Sequence, residues 1–269
     1  MGRMLLLWIA VSLVASGCVQ KVGFNPEYKP LDEKVAGPCQ IGEDHDGDGR
    51  VDSRVDFTYA KDGTLQTRTY YRGNDDNVAE KTVYSYVDGR LQQQTTDRGN
   101  DGSIEETERY SYDQTGTATV TVNGAAGKMI EYDAQGRMAR ETFDRDHDGN
   151  CDRIVSYRYN SAGLLIEENR DSDCDGQADR RISYARGADG RIIEETMIAV
   201  ATNQLFATLN YRYLGNTLVK EKKDKGQTYE IVEEKYDAHG NLLSENYLNS
   251  EKKLTRKKIY SYPCWNSFF

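Results

Sequence analysis

Between Pro38 and Pro263 the sequence contains no proline. The residue that cannot donate to a β-ladder is thus missing from most of the chain, which leaves long runs of strand open to it. Apolar residues are scarce as well, at 37% hydrophobic with a mean hydropathy of -0.79. Globular domains usually reach about 45–50%, so there is too little here to seal both faces of a sheet. Histidine occurs three times, at His45, His147 and His239. No His-bearing transition-metal motif, Gly-rich phosphate loop or nucleophile elbow accompanies them, and no enzyme activity is expected. Carboxylates are plentiful, but nothing marks one pair as a glycosidase couple. Positive charge is in deficit: the formal net charge is -9, and losing Arg3 with the leader makes it -10. Such a chain is repelled by phosphate, which argues against nucleic acid as a partner. After the leader, no stretch shows helical periodicity.

The leader has its own composition. Arg3 precedes an apolar run from Met4 to Ala15, and Ala15-Ser16-Gly17-Cys18 follows. The run falls short of the about 20 residues that a spanning helix needs, so 1–17 reads as a cleaved signal peptide. Small residues directly before a cysteine resemble the bacterial lipobox, although the Leu preferred at the Ala15 position is missing. That resemblance implies acylation of Cys18, a membrane anchor, and a place in the bacterial cell envelope. Val19, rather than Asp, after the cysteine implies the outer membrane in a Gram-negative host. Residues 18–38 carry Pro26, Pro30 and Pro38 and read as a tether, leaving 39–269 as the folded body.

The body is a repeat. "YAKDGTL" at Tyr59, "YVDGRL" at Tyr86, "YDAQGRM" at Tyr132, "YNSAGLL" at Tyr159 and "YDAHGNL" at Tyr236 are versions of one turn. Its glycines fall at 63, 89, 116, 136, 163, 190, 215 and 240. Before the turns, aromatics alternate, as in Phe57/Tyr59, Tyr84/Tyr86, Tyr157/Tyr159 and Tyr211/Tyr213. A period of two places both rings on one face of a strand, and the glycine supplies the positive φ of a tight turn. An apolar residue two places past the glycine, such as Leu65, Met138 or Leu242, can face the same way on the returning strand. The pattern predicts an all-β body of consecutive antiparallel hairpins, about 25–27 residues each and about sixteen strands in all. The tyrosines are expected to form its one large apolar face. Arg140, Glu167 and Glu194 lie four past a glycine, on the leucine face by the same parity. That argues against a lipid-facing band and a transmembrane barrel.

"YDAQGRMARETFD" and "YDAHGNLLSENY" resemble the YD repeats of the RHS family, whose pattern is Tyr-Asp-x-x-Gly-Arg-Leu. The similarity covers most of residues 55–262. It implies hairpins wound into one long, twisted or spiralling single-layer sheet, which in that family encloses a toxin. Eight hairpins are too few for a full cocoon, and no separate toxin domain follows Tyr262.

The connections opposite the glycine turns carry a second pattern, D-x-D-x-D-G-x-x-D. It occurs at Asp44, Asp46, Asp48 and Asp52; at Asp144, Asp146, Asp148 and Asp152; and at Asp171, Asp173, Asp175 and Asp179. Alternating carboxylates around a glycine can converge on one hard cation, and their mutual repulsion asks for one. Six positions match the start of an EF-hand loop, but no Glu stands at position twelve. The pattern resembles the calcium repeats of thrombospondin type 3, which implies Ca²⁺ bound by loop positions one, three, five and nine. The 97–105 connection keeps Asp97, Asp101 and Glu105 but has Gly99 at position three. The 72–77 connection "RGNDDN" keeps less of the pattern, and "NGAAGK", "ATNQ", "DKGQ" and "NSEK" are plain hairpin loops.

Four cysteines follow Cys18, an even number that permits two disulfides. Cys151 and Cys174 sit in neighbouring acidic loops and form one possible pair. Loops on the same edge lie about 9–10 Å apart, however, and a disulfide needs Cα atoms within about 7 Å. Cys39 and Cys264 flank the array and can pair only if the sheet closes on itself. The functional expectation is a non-enzymatic, lipid-anchored envelope protein, a calcium-stabilised scaffold or binding module for protein or glycan partners. The alternative is a small shell that shields a partner or toxin polypeptide.

Overall fold

The computed structural model describes residues 35–73, 76–114 and 117–267. The signal peptide, Cys18 and most of the tether lie outside the described residues. The described residues form eighteen strands, from β1 (Gln40–Asp44) to β18 (Leu254–Ser261), followed by a 3₁₀ turn at Pro263–Ser267. Each strand pairs antiparallel with its neighbours in sequence. β1 then pairs with both β2 (Ser53–Tyr59) and β18: Gln40 lies opposite Asp56 on one side and Ser261 on the other. The sheet is therefore a closed barrel, not the open or spiralling single layer that the hairpin repeat implied. The repeat sets each turn and each local pairing, but closure depends on small register steps summed around the ring. Following paired residues once around returns to β2 displaced by about eighteen positions. In a circular section that shear gives a strand tilt of about 37° and a radius of about 16–17 Å.

The wall does not surround a packed core. No large side chain is fully buried among the described residues, and only two small clusters of buried apolar residues form, with Val155, Ile182, Val219, Ile231 and Val232 outside them. One of them joins Ala118, Val120 and Ile130 to nearby tyrosines. The other sits at the seam, where Cys39, Tyr262 and Trp265 pack with Val35, Tyr59 and Leu243. Trp265 Nε1 donates to Gly37 O at 2.8 Å, and the Val35 amide donates to Asn241 Oδ1 at 3.1 Å. Residues 35–37 thus pack onto the barrel. A disulfide between Cys39 and Cys264, with Cα atoms 5.8 Å apart, fastens the seam.

The tyrosine face mixes apolar side chains, such as Val120 and Ile130, with polar partners for the phenol hydroxyls. The first tyrosine of a pair donates to a glutamate on the same face, as Tyr157 does to Glu141 and Tyr211 to Glu195. The second reaches back to the preceding hairpin, to the carbonyl of the residue two past its glycine. Tyr112 donates to Leu91 O at 2.9 Å, Tyr159 to Met138 O at 2.8 Å, and Tyr213 to Ile192 O at 3.0 Å. Arg186 takes this place in one repeat and donates to Leu165 O at 2.9 Å. The Gly-Arg pair of the repeat has a role here too. Arg137 is held by Asp133 and stacks over Tyr159, 4.5 Å from the ring centroid, and Arg191 stacks over Tyr213 at 4.2 Å.

A bulge after the glycine turn alters the parity predicted from sequence. Tyr132 pairs with Met138, but Glu131 pairs with Arg140, so Ala139 is the extra residue. The same shift follows Tyr59, Tyr159 and Tyr236. It turns the residue two past the glycine onto the tyrosine face and the residue four past onto the other. Arg140 and Glu167 are therefore opposite the tyrosines, contrary to the expectation that they share the leucine face. Both faces carry charge, and neither offers the uninterrupted apolar band of a lipid-facing barrel. No helix among the described residues is long and apolar enough to cross a membrane.

Candidate metal centre: the acidic rim

The acidic loops all lie at one rim, opposite the glycine turns. Residues 44–52 join β1 to β2. Residues 144–152 join β9 (Met138–Phe143) to β10 (Arg153–Tyr159), and residues 171–179 join β11 (Leu165–Asp171) to β12 (Arg180–Arg186). The three loops share one hydrogen-bonded frame. The first aspartate accepts the amide of the glycine at position six: Gly49 to Asp44 Oδ2 at 2.9 Å, Gly149 to Asp144 Oδ2 at 3.0 Å, Gly176 to Asp171 Oδ2 at 2.9 Å. The last aspartate accepts the amide at position two, from His45, Arg145 and Ser172. Aspartates at positions three and five accept amides two residues on, the usual aspartate turn.

Position six is glycine with φ near 90° in each loop, and position four is left-handed as well. It is held by Gly47 (φ 76°), His147 (φ 62°) and Cys174 (φ 61°). A Cβ on Gly47 would come within 2.9 Å of Leu254 O, so this loop also needs glycine for space.

Carboxylate oxygens converge in each loop. Asp44, Asp46 and Asp48 bring theirs within 4.8 Å of one another, as do Asp144, Asp146 and Asp152, and Asp171, Asp173 and Asp179. Asp52, Asp148 and Asp175 fall outside these triads. Asp52 holds the His45 amide, and Asp148 and Asp175 turn back to Asn150 and Gln177. The all-oxygen donor set suits a hard cation of the calcium class. Asp144 Oδ1 is buried and accepts no hydrogen bond, so one ligand-capable atom is already desolvated. Burial pushes Asp44 and Asp171 up, but the loop amides outweigh it and hold both carboxyls below their usual range. They are therefore charged at neutral pH. In the 97–105 loop Asp97 accepts the Gly102 amide at 3.0 Å in the same frame, but Gly99 takes a φ of 90° at position three and no triad forms.

Cys151, at position eight of one loop, is bonded to Cys174, at position four of the next, with Cα atoms 6.0 Å apart. The loops lean together by several ångströms relative to strands spaced two apart. His147 stands clear of the triads, with Nδ1 2.6 Å from Ala126 O. His239 lies in a glycine turn, where its amide donates to Asp237 Oδ1. Two other groupings gave no signal in the sequence. One is the set of glutamates that receive the tyrosine hydroxyls. Glu141 is 8% exposed, and although burial pushes its carboxyl up, Lys128 and Tyr157 hold it below the usual range. The other is a polar hollow beside Asp171. Both join residues from different hairpins.

The sequence matches no family model and no curated protein. Among solved structures the chain is similar to TcdB2–TccC3, at 14% identity and a TM-score of 0.31 over 82% of this chain; it spans 18% of that chain's length. A porin-like protein from Bacteroides vulgatus is similar at 13% identity and a TM-score of 0.31, over 84% of this chain and 98% of that one. A protein with a YmcC-like fold from Bacteroides fragilis is similar at 10% identity and a TM-score of 0.21, over 86% and 96%. Likenesses this low carry no functional inference.

Proposed function

We propose that this is a bacterial cell-envelope protein, anchored by a lipid on Cys18, whose barrel is a calcium-stabilised scaffold or binding module for a protein or glycan partner. The observation that carries the reading is the convergence of three aspartate triads on one rim. Four or more carboxylates in nine residues are not needed to turn a chain, as the unacidic connections of the same barrel demonstrate. The two disulfides suit an oxidising compartment outside the cytosol, in keeping with the leader that ends at Cys18. The recurring Tyr-to-Gly turn, as in "YDAQGRM" and "YDAHGNL", supports kinship with the YD repeat of the RHS family. A second reading, a shell that shields a partner or toxin polypeptide, is favoured by the closed wall without a packed core.

Thermal melting tests the calcium reading. At a calcium concentration of about 100 Kd a site contributes about 2.7 kcal/mol, which for a body of this size is about 5–10 °C in Tm. Chelation is expected to remove that increment, and Asp146→Ala together with Asp173→Ala to remove most of the sensitivity. Identical melts in EDTA and in Ca²⁺ overturn it. Labelled palmitate incorporation that is lost in Cys18→Ala tests the anchor. For the module, the lipid-free barrel is immobilised and challenged with envelope extract. Saturable retention of one defined component is expected, and its complete absence refutes the role.

A further inference from the structure

On the face opposite the tyrosines, four residues from four successive strands lie in one row. Arg140 pairs with Ser156, Ser156 with Asn169, and Asn169 with Arg181. The two central residues are short and the two outer ones long, so the row makes a trough. It spans three strand steps, about 14 Å. The acidic loop closes its lower end, where Gly176 and Ala178 line it, and Ile154 and Val200 add an apolar floor. The hollow measures about 450 Å³, within the range of small-molecule sites and large enough for one or two sugar rings.

Its polar groups are under-used. Arg140 meets only Glu131, at 3.7 Å. Arg181 donates through Nε to Asn169 Oδ1 at 3.3 Å and lies 3.7 Å from Glu167. The terminal nitrogens of both guanidinium groups have no hydrogen bond among the described residues, nor has the Ser156 hydroxyl. Asn169 Nδ2 gives one proton to Glu167 Oε1 at 2.9 Å, which leaves its second free. Glu131 continues the row beyond Arg140 and Glu167 sits on the same face beside Asn169, but neither lines the hollow; Asp171 does, on its lower wall, where it accepts the Gly176 amide. The trough therefore offers cationic forks at both ends, a hydroxyl and an amide between them, and a single carboxylate, Asp171, at its lower end beside the acidic loop. Guanidinium forks bind the paired oxygens of a carboxylate or a phosphate bidentately. The central hydroxyl and amide suit a ligand that carries hydroxyls, and the apolar floor suits the C–H face of a ring.

We infer that the Arg140–Ser156–Asn169–Arg181 trough is a binding site for a carboxylated sugar of the uronic-acid class. The inference deepens the binding-module reading and rests on it. The test is titration of the intact, calcium-loaded barrel with galacturonate, galactose and inorganic phosphate, followed by NMR or calorimetry. Galacturonate is expected to bind at least about tenfold more tightly than galactose, the scale of one charge-assisted hydrogen bond. Arg140→Gln with Arg181→Gln is expected to erase that preference while leaving Tm unchanged. Ser156→Phe keeps both charges but fills the hollow, and is expected to abolish binding. Equal affinity for the two sugars, phosphate binding as tight as galacturonate, or retained preference in either variant overturns the site. Each of these results leaves the module reading intact, because that reading falls only if the barrel retains nothing from envelope extract.

Discussion

The seam disulfide allows a quantitative test of how the ring is held. Cys39 and Cys264 are 225 residues apart in sequence, whereas Cys151 and Cys174 are 23 apart. Chain-closure entropy scales with the logarithm of loop length, so the first cross-link should stabilise by about 5.4 kcal/mol and the second by about 3.4 kcal/mol at 25 °C. Cys39→Ala with Cys264→Ala should thus destabilise more than Cys151→Ala with Cys174→Ala, by about 2 kcal/mol. Packing adds to the gap, because Cys39 is 5% exposed within the seam cluster. Urea unfolding of both double variants in EDTA measures the difference without the linkage between the second disulfide and calcium. The loss should also be local. The five residues of β1 alone bridge β18 to β2, so hydrogen exchange should rise first in Gln40–Asp44 and Leu254–Ser261. If the seam variant loses no more stability than the loop variant, or if exchange rises evenly around the barrel, loop closure at the seam is not what holds the ring.

Alkaline titration should expose the tyrosine face. Burial, joined for the latter two by nearby Glu168 and Glu245, pushes Tyr59, Tyr184 and Tyr247 up to about 12. Because the folded values lie above the unfolded one, this stability is complete below pH about 10 and is lost as pH rises toward 12. Near-ultraviolet absorbance should accordingly show most phenols ionising together with unfolding. A smooth titration centred on pH 10 in the folded protein contradicts the buried hydroxyl pairs. The backward clasp predicts that Tyr213→Phe, which loses the bond to Ile192 O, costs about 1 kcal/mol in urea unfolding. Arg186→Tyr, which restores the residue used by other repeats, should cost less than Arg186→Leu, and the reverse order refutes an equivalent role for Arg186.

Much of this protein is local, and local features are legible in its sequence. The alternating aromatics define strands, the glycines mark the turns, and the D-x-D-x-D-G spacing marks the loops whose carboxylates converge. These patterns depend on residues within about ten positions of one another, where backbone geometry leaves few choices. The bulge was hidden because Met138 and Arg140 share sequence parity, and only the pairing of Glu131 and Tyr132 across the strand separates them. Many tyrosine partners were hidden because the hydroxyl reaches a glutamate or carbonyl on a different strand, as Tyr157 reaches Glu141 and Tyr213 reaches Ile192 O. Tertiary structure alone decided closure, the Cys39–Cys264 bond, the approach of Cys151 to Cys174, and the row from Arg140 to Arg181. All four depend on register accumulated over several strands, and a one-residue step in any hairpin would move every later strand. The sequence by itself determined a chain of hairpins with acidic loops on one edge, and the summed register determined that the chain closes into a barrel with a rim.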